Sequence, residues 1–386
     1  MIKKIEIMDM RSIKNAVISF EKSGIEYRQK YVFREKYVNP LTLYGDNGSG
    51  KSMILYAIQQ LVLIMNYDES FTKTHSAVFP DILLLSKLNN KKGSSTTNIE
   101  IPTLRFSFVT KDYIEFTYEV KSIFDNIYSE QLFVKGFNDD KPILFRNREK
   151  FKIAGEQFEI IRETYSAVRL IGIEEYVEKN TFKSLIKKCF ECMRDVIYID
   201  SSLYVFGHKF IKTKTPTDIM LESDFVATHL SKFSSLPQFK HVKKSNYGEA
   251  LEVVMDFGND KHLPLNVASD GIVREGLLFA ALKAALEEED AVVAIDEINR
   301  SIHPLNIKNI VDEFVQKGIQ LVFSSHDTSL LKYLRPDQVY FSYLKSNIES
   351  VYCRLNELHP NIRDINNIES MYLKGVFDEK LQKCNE

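Results

Sequence analysis

Residues 41–58 read LTLYGDNGSGKSMILYAI, and this stretch decides the fold. Leu41 to Tyr44 form a continuous apolar run of the length expected for a buried strand. The residues that follow, GDNGSGKS, have the spacing G-x-x-x-x-G-K-S of a phosphate-binding loop. A helical apolar pattern resumes after Ser52, so the motif stands between a strand and a helix. The stretch therefore predicts an α/β fold built around a phosphate site.

The loop chemistry assigns roles to individual residues. Its glycines allow backbone N–H groups to close around phosphate oxygens, and the following helix adds its positive N-terminal dipole. We expect the Lys51 ammonium to reach the β and γ phosphates and the Ser52 hydroxyl to hold Mg²⁺. The predicted nucleotide-binding residues are those of the whole loop: Gly45, Asp46, Asn47, Gly48, Ser49, Gly50, Lys51 and Ser52.

A working loop needs a second, acidic strand for the metal. Two apolar runs end in aspartate, VIYID at Asp200 and AVVAID at Asp296. Only Asp296 is followed by a second carboxylate, Glu297, as hydrolysis requires of a water-activating base beside the metal. We therefore assign Asp296 to the Mg²⁺ shell and Glu297 as the general base. Asp200 is interpreted as a strand-end or loop aspartate.

A histidine follows another apolar strand further along the chain. The segment LVFSSHDTSLL places His326 just after that strand, about thirty residues beyond Asp296. A strand that ends in polar residues can present an imidazole near the γ-phosphate, so His326 is predicted as a catalytic residue.

The remaining chain divides by pattern. Residues 99–161 hold β-branched and aromatic runs of period two, which predict an antiparallel β lobe. Helical patterns follow at 165–194, and residues 201–246 are interpreted as helical and loop-rich. In the motif C-x-x-C, Cys189 and Cys192 are interpreted as buried helix residues rather than metal ligands, because no second close pair exists. Scattered histidines in the middle of the chain are predicted in exposed loops: His208, His229 and His241.

Composition excludes several classes of protein. The chain has 386 residues, 44% of them hydrophobic and 27% charged, as in an ordinary globular protein. A net charge of −2 gives no global basic field for nucleic acid. No apolar run is long enough to span a membrane, and the charged N-terminus does not resemble a signal peptide. We expect a cytoplasmic protein without membrane contact.

The order of phosphate loop, signature helix, D-E strand and histidine resembles the ABC-type ATPase heads of the SMC/RecF/OLD group. The likeness is most specific in LPLNVASDGIVREGLLFAALKAALEEEDAVVAIDEINRSIHP, residues 263–304. There, Ser269, Asp270 and Gly271 occupy the place of the signature that binds the γ-phosphate held by the opposite protomer. Asp270 stands where a glycine is usual.

Within that group, IDEINRSIHP, SSHDTSLL, NIESMYLKGVFDE and the opening IEIMDMRSI resemble the RloA-like branch of AAA-family ATPases. The resemblance implies an ABC-type head with an antiparallel β lobe and a helical insertion. Its ATPase domain would comprise residues 1–66 and 263–386, with a loop plus β lobe at 67–165 and a mainly helical insertion at 166–262 that serves a partner or oligomer. Arg11 would lie near the nucleotide, with a surface arginine as the alternative.

The same resemblance implies function. It indicates ATP and Mg²⁺ as cofactors and a head-to-head dimer or higher homo-oligomer. Members of this branch resemble components of phage-defence or abortive-infection systems such as PARIS, often paired with a Toprim-type nuclease and triggered by a phage protein. Two alternatives stay open. One is a RecF-like repair ATPase that binds DNA through basic stretches such as residues 146–152 and 243–248; the other is a transporter ATPase, which the altered signature disfavours.

Overall fold

The computed structural model describes residues 1–25, 32–33, 36–66, 101–123, 126–137, 141–159, 166–173, 182–202, 204–210, 241–247, 250–256, 262–264, 269–345, 348–363, 366–378 and 381. Most of the middle region, including His229, lies outside these residues, and the side chains of 241–264 are not described.

The secondary-structure elements are named in chain order. The strands are β1 (Ile2–Met10), β2 (Ile13–Ser19), β3 (Val32–Phe33), β4 (Tyr37–Val38), β5 (Leu41–Gly45), β6 (Thr103–Val109), β7 (Glu115–Ile123), β8 (Asn126–Val134), β9 (Leu144–Asn147), β10 (Phe151–Ile153), β11 (Glu156–Phe158), β12 (Val196–Ile199), β13 (Val205–Phe206), β14 (His241–Tyr247), β15 (Ala250–Asp256), β16 (His262–Pro264), β17 (Val292–Ile295), β18 (Gln320–Ser324), β19 (Val339–Lys345) and β20 (Glu349–Arg354). The helices are α1 (Lys51–Asn66), α2 (Ala167–Gly172), α3 (Lys183–Arg194), α4 (Asp270–Leu286), α5 (Pro304–Gln316), α6 (Leu355–Leu358) and α7 (Ile368–Leu373), with short 3₁₀ helices at His208–Phe210, Thr328–Tyr333 and Pro336–Gln338.

A mainly parallel sheet carries the site. Its order is β13-β12-β17-β18-β5-β19-β20, with parallel pairing from β12 to β19 and antiparallel strands at both edges. Because these parallel strands run in one direction, the carboxyl ends of β5, β17 and β18 meet at one edge of the sheet. Residues far apart in sequence are therefore brought together at this edge, where open α/β sheets bind ligands.

An antiparallel sheet of eight strands forms the predicted lobe, in the order β11-β10-β9-β8-β7-β6-β1-β2. Strand β1 pairs with both β2 and β6, and Ile5 stands opposite Ile18 on one side and Phe106 on the other. The α/β fold with an antiparallel lobe is thus confirmed. The buried amide of Gln320 joins the two sheets, because it accepts from the N–H of Ile2 and donates to its carbonyl oxygen, each at 2.7 Å.

Helix α1 lies between the two sheets. All of its residues except Ser52 are buried, which explains why the helix is apolar on every side. Val292 and Ala294 of β17 face the core that contains α1, whereas Val293 and Ile295 face the core formed with α4 and α5. The continuous apolar runs of the central strands follow from this burial on both faces.

The domain division differs from the expected one in two respects. Strands β1 and β2 hydrogen-bond within the antiparallel lobe, and β12, inside the predicted insertion, belongs to the parallel sheet. Between 166 and 262 the described residues form α2, α3, one 3₁₀ helix and strands β12 to β15, and β16 begins at His262, so the described share of this part is mixed. The strand β14 lies in a stretch that was expected to be helical and loop-rich. Periodicity identifies strands, but it does not tell which sheet each one joins.

The structure also describes the cysteine pair and one histidine of the middle region. Cys189 and Cys192 are free and buried on α3, as predicted. His208 is not in an exposed loop: its Nε2 lies 3.3 Å from Glu288 Oε1, and its side chain is 26% exposed. Among the described residues, no helix has the length and apolar character needed to cross a membrane.

Candidate nucleotide-binding site

The phosphate loop leaves β5 at Gly45 and enters α1 at Lys51. Gly45 and Gly50 have φ angles of +145° and +101°. A Cβ atom at Gly45 would lie 2.2 Å from the carbonyl oxygen of Ser342, and one at Gly50 would lie 2.4 Å from Ser350 Oγ. Both the backbone angle and the available space therefore require glycine here. These glycines allow the loop to pack directly against β19 and β20.

Hydrogen bonds from β19 and β20 hold the loop in this conformation. Ser49 Oγ and Ser342 Oγ lie 2.6 Å apart, and the Tyr352 hydroxyl donates to the carbonyl oxygen of Gly50 at 2.6 Å. Ser49 is buried, whereas Asp46, Asn47 and Gly48 at the tip of the loop are exposed. A loop that is ordered in advance loses less conformational entropy when a ligand binds.

Lys51 folds back over the loop. Its Nζ donates to the carbonyl oxygens of Gly45 and Asp46, each at 2.8 Å. Burial lowers the pKa of this ammonium, and the carboxylates of Asp296 and Asp46 oppose the shift. The cation is therefore shielded from water beside the loop, where an anionic phosphate would be its natural partner.

Asp296 is the centre of the site. Ser52 Oγ donates to its Oδ1 at 3.0 Å, and the buried Ser324 Oγ donates to the same oxygen at 2.6 Å. Ser324 Oγ in turn accepts from the backbone N–H of Glu297 at 2.8 Å. The structure thus brings together the two predicted Mg²⁺ ligands, Ser52 and Asp296. Ser324 was not singled out from the sequence, and only its position at the end of a buried strand could have indicated it.

Asp200, the other strand-end aspartate, has a different role. Its Oδ1 accepts from the backbone N–H groups of Ser202 and Tyr204, each at 2.8 Å. The side chain therefore closes the turn after β12, in agreement with its interpretation as a strand-end aspartate.

Glu297 and His326 lie beside this centre. His326 Nε2 is 3.9 Å from Glu297 Oε1. The backbone of Glu297 has a φ angle of +49°, a left-handed conformation that turns the chain sharply after β17. The N–H of His326 donates to Asn299 Oδ1 at 3.1 Å, which ties the two segments together. Burial, followed by the charge of Lys51, lowers the pKa of His326, so its imidazole is neutral at pH 7.

Arg274 is a site residue that the sequence reasoning missed. It lies in the second turn of α4 and is 1% exposed, and within the described part of the chain its guanidinium donates to main-chain carbonyl oxygens. The acceptors are Asp200 at 2.8 Å, Asp296 at 2.7 Å and Glu297 at 3.2 Å. The available signal was a single arginine early in a mainly apolar helix, next to Glu275.

The signature turn lies at the start of α4. Ser269 and Asp270 are exposed, and the Ser269 side chain makes no capping hydrogen bond. A Cβ atom at Gly271 would lie 2.4 Å from the carbonyl oxygen of Ser301, so this glycine allows the turn to pack against the loop that follows Glu297. Asp270 is the first residue of the helix, where a carboxylate is favourable.

Arg11 lies in the turn between β1 and β2. Its guanidinium carbon is 4.7 Å from the centre of the Tyr56 ring, and its Nη1 donates to Met53 Sδ at 3.6 Å. Both partners belong to α1, so Arg11 lies beside the helix that begins in the phosphate loop. A contact with the nucleotide stays a prediction.

The sequence profile of a known family matches residues 41–332, a range that includes the phosphate loop, Asp296, Glu297 and His326. The family is described as "AAA domain, putative AbiEii toxin, Type IV TA system". The chain belongs to this AAA family. A search of curated proteins found no match to this AAA chain.

Solved structures of SMC heads are similar to the AAA chain over 92% of its length. They include an SMC head bound to the C-terminal winged-helix domain of ScpA (13% identity, TM-score 0.49, 98% of that chain covered). The SMC head domain from Thermotoga maritima gives 13% identity, a TM-score of 0.42 and 98% coverage. An Smc head with an extended coiled coil, bound to the C-terminal domain of ScpA from Pyrococcus furiosus, gives 12%, 0.48 and 96%. Family membership rests on the sequence profile alone.

The basic stretch at residues 146–152, which a DNA-binding ATPase would use to contact phosphates, is not exposed along its whole length. Arg146 is 2% exposed and donates to the carbonyl oxygen of Ile127 at 3.1 Å inside the antiparallel lobe. The guanidinium of Arg148 packs over the ring of Tyr128 at 4.3 Å. Arg146 therefore cannot contribute to a DNA-binding surface at residues 146–152, although Arg148 and Lys150 are exposed.

Proposed function

We propose that this AAA chain binds and hydrolyses ATP and acts as a nucleotide-controlled switch. One observation carries the proposal: a single oxygen of Asp296 accepts from Ser52 of the phosphate loop and from Ser324, and Glu297 is held next to it through Ser324. Serine, aspartate and a neighbouring glutamate at the carboxyl edge of a parallel sheet are the groups that phosphoryl transfer to water requires.

The residues present fit ATP and Mg²⁺. The glycine positions leave a tight loop without side chains in the way, and Lys51 supplies a shielded cation for the β and γ phosphates. Ser52 and Asp296 would hold Mg²⁺ through a hydroxyl and a carboxylate, which are the hard oxygen ligands that this ion prefers. When bound, Mg²⁺ neutralises charge on the phosphates.

Glu297 is the proposed general base, which takes the proton from the attacking water as the water oxygen bonds to the γ-phosphorus and the bond from that phosphorus to the bridging oxygen of the leaving ADP breaks. Ser324 accepts from its backbone N–H and Arg274 donates to its carbonyl oxygen, so the backbone that carries the carboxylate is held by two neighbouring elements. His326 Nε2 lies 3.9 Å from this carboxylate, which is beyond direct hydrogen-bond distance, so the neutral imidazole stands beside the base without neutralising it.

ATP would also join two copies of the chain. The exposed N-terminus of α4, with Ser269 and Gly271, is placed to contact the phosphate bound by a second copy, since helix N-termini attract anions. The nucleotide would then stabilise the closed dimer over the open state, and hydrolysis would release it.

The test of this proposal uses Glu297→Gln. This variant is expected to bind ATP, to lose turnover by about a hundredfold or more, and to elute as a dimer with ATP and Mg²⁺ in size-exclusion chromatography. The matched control is Glu287→Gln at the exposed end of α4, which is expected to behave as wild type. ATP binding by a Glu297→Gln protein that stays monomeric at every ATP concentration would contradict the dimer, and unchanged turnover would contradict the role of Glu297.

A defence role is the wider part of the proposal. The family description refers to a toxin of a toxin–antitoxin system, and this supports an ATP switch that restrains or releases a toxic partner, such as a Toprim-type nuclease, when a phage protein acts as trigger. In cells that carry the chain and its genetic neighbours, Lys51→Ala is expected to abolish protection against phage. Protection that persists in this variant would exclude the switch.

A further inference from the structure

Three metal-ligating side chains from different elements meet at the end of the parallel sheet opposite the phosphate loop. Asp195 follows α3, His208 begins the 3₁₀ helix after β13, and Glu288 follows α4. One ligand atom of each lies within 4.8 Å of the other two, and His208 Nε2 is 3.3 Å from Glu288 Oε1. None of these residues takes part in the nucleotide site described above.

The surroundings of the cluster favour a cation. Asp195 is 6% exposed and the Glu288 side chain is 13% exposed, so two carboxylates stand close together with little water. The Arg194 Nε lies 3.4 Å from Asp195 Oδ1. The two carboxylates are nevertheless close enough to repel each other. A bound divalent cation would remove the repulsion between them.

We propose that Asp195, His208 and Glu288 form a site for a divalent transition metal, with Zn²⁺ as the expected ion. An imidazole with two carboxylates suits Zn²⁺, whereas Mg²⁺ and Ca²⁺ prefer oxygen ligands alone. Ligands at ~2.1 Å from a tetrahedral ion are separated by roughly 3.4 Å, which the His208–Glu288 pair already matches. Asp195 supplies the third ligand atom, which lies within 4.8 Å of the other two.

The site is accessible and has a defined structural position. The His208 side chain is 26% exposed, and a cleft of about 100 Å³ lies against Glu288, lined also by Glu289, Asp290, Lys317 and Met1. The metal would join the ends of α3 and α4 to the turn after β13. Since α4 is ~25 Å long and carries Ser269 at its other end, the ion would stabilise the helix without touching the nucleotide.

The experiment measures Zn²⁺ binding to the nucleotide-free chain by equilibrium dialysis and elemental analysis, together with the melting temperature Tm. Wild type is expected to bind one Zn²⁺ and to show a higher Tm with it. His208→Gln and Glu288→Gln are expected to bind at least tenfold more weakly and to lose this rise in Tm. Because Gln retains a hydrogen-bonding group at position 288, Glu288→Gln remains informative if His208→Gln folds poorly.

Two controls separate this site from others. Glu289→Gln changes the neighbouring, 79% exposed carboxylate and is expected to bind Zn²⁺ as wild type does. Asp296→Asn alters the nucleotide site and is also expected to retain Zn²⁺. The proposal is overturned if no saturable Zn²⁺ binding occurs, if the ligand variants bind as well as wild type, or if Asp296→Asn removes the binding. Displacement of Zn²⁺ by an equal concentration of Mg²⁺ would likewise exclude a transition-metal site.

Discussion

The Arg274 guanidinium donates a 2.7 Å hydrogen bond to the main-chain carbonyl oxygen of Asp296. It also reaches the carbonyls of Asp200 and Glu297, so one buried side chain fixes the ends of β12 and β17. Arginine has a planar fork of donors that can serve several carbonyls at once. The start of α4 and the backbone of the proposed general base are thus mechanically connected.

Arg274→Lys is expected to lower kcat by about ten- to a hundredfold, because one ammonium cannot span these carbonyls and Glu297 would be misplaced. The affinity for ATP should stay as in wild type, since the hydrogen bonds of Arg274 to described residues go to the carbonyls of Asp200, Asp296 and Glu297 and not to the phosphate loop. Steady-state hydrolysis and nucleotide titration provide the two measurements. Lys283→Ala, on the exposed side of the same helix, is the control. A wild-type kcat in Arg274→Lys would show that this connection has no role.

Ser324→Ala removes the donor to Asp296 and leaves the N–H of Glu297 without its acceptor. We expect the free energy of unfolding to fall by about 1–3 kcal/mol, the usual cost of an unsatisfied buried group. Hydrolysis should require more Mg²⁺, because Asp296 is less well oriented. Denaturant unfolding and a Mg²⁺ titration of hydrolysis measure the two effects, and Ser107→Ala in the antiparallel lobe is the comparison. Ser107→Ala loses a hydrogen bond with Thr117 far from the site, so its Mg²⁺ requirement should be unchanged. An unchanged Mg²⁺ requirement in Ser324→Ala as well would show that the assigned role is wrong.

Gly271→Ala places a methyl group 2.4 Å from the carbonyl oxygen of Ser301 and so forces the signature turn away from the loop after Glu297. We expect the monomer to keep its ATP affinity while the ATP-dependent dimer is lost, as measured by nucleotide titration and size-exclusion chromatography. Gly24→Ala, where a Cβ meets no atom within 4 Å, should have no effect. Normal dimers of Gly271→Ala would argue against the signature turn as the contact.

Glu275→Gln tests a pH dependence of stability. Glu275 is 5% exposed, and burial raises its pKa, although the Asn306 amide donates to it at 2.7 Å. A carboxyl whose pKa is raised on folding is most favourable to the folded state at acidic pH, and this contribution is lost as the pH rises through its folded pKa. The neutral glutamine should therefore raise Tm relative to wild type at pH 8, with a gain that shrinks toward pH 4. An equal gain at both pH values would contradict this account.

Motif spacing predicted the centre of the site because its chemistry depends on the order of residues along the chain. Lys51, Ser52, Asp296 and His326 each follow or precede a recognisable strand or helix, and parallel pairing then places them at one edge. Arg274 was not predicted because its hydrogen-bond acceptors are main-chain carbonyl groups, which every residue carries. These acceptors, Asp200 and Asp296, lie 74 and 22 positions away along the sequence. The contact between His208 and Glu288 was also not predictable, because Glu288 belongs to the acidic run at residues 287–290, which matches no motif.

Sheet membership was the other part that pattern alone could not supply. The alternation in β1 indicates a strand with one buried face, but its pairing with β6 depends on a segment about a hundred residues away. The antiparallel lobe and the central parallel strands were predictable because their patterns differ: the lobe strands alternate apolar and polar residues, whereas the central strands are continuous apolar runs. Which of them the N-terminal strands and β12 would join is decided by long-range packing.

The hydrogen bonds from Ser342 and Tyr352 to the phosphate loop determine how far the chain can be truncated without loss of the site. Both residues lie beyond position 332, where the family profile ends, and β1 and β2 lie before position 41, where it begins. A fragment of residues 41–332 would lack β19 and β20, which hold the phosphate loop, and β1 and β2, which complete the antiparallel lobe. In this chain, the segment that the family profile matches is therefore shorter than the segment that forms the two sheets and supports the phosphate loop.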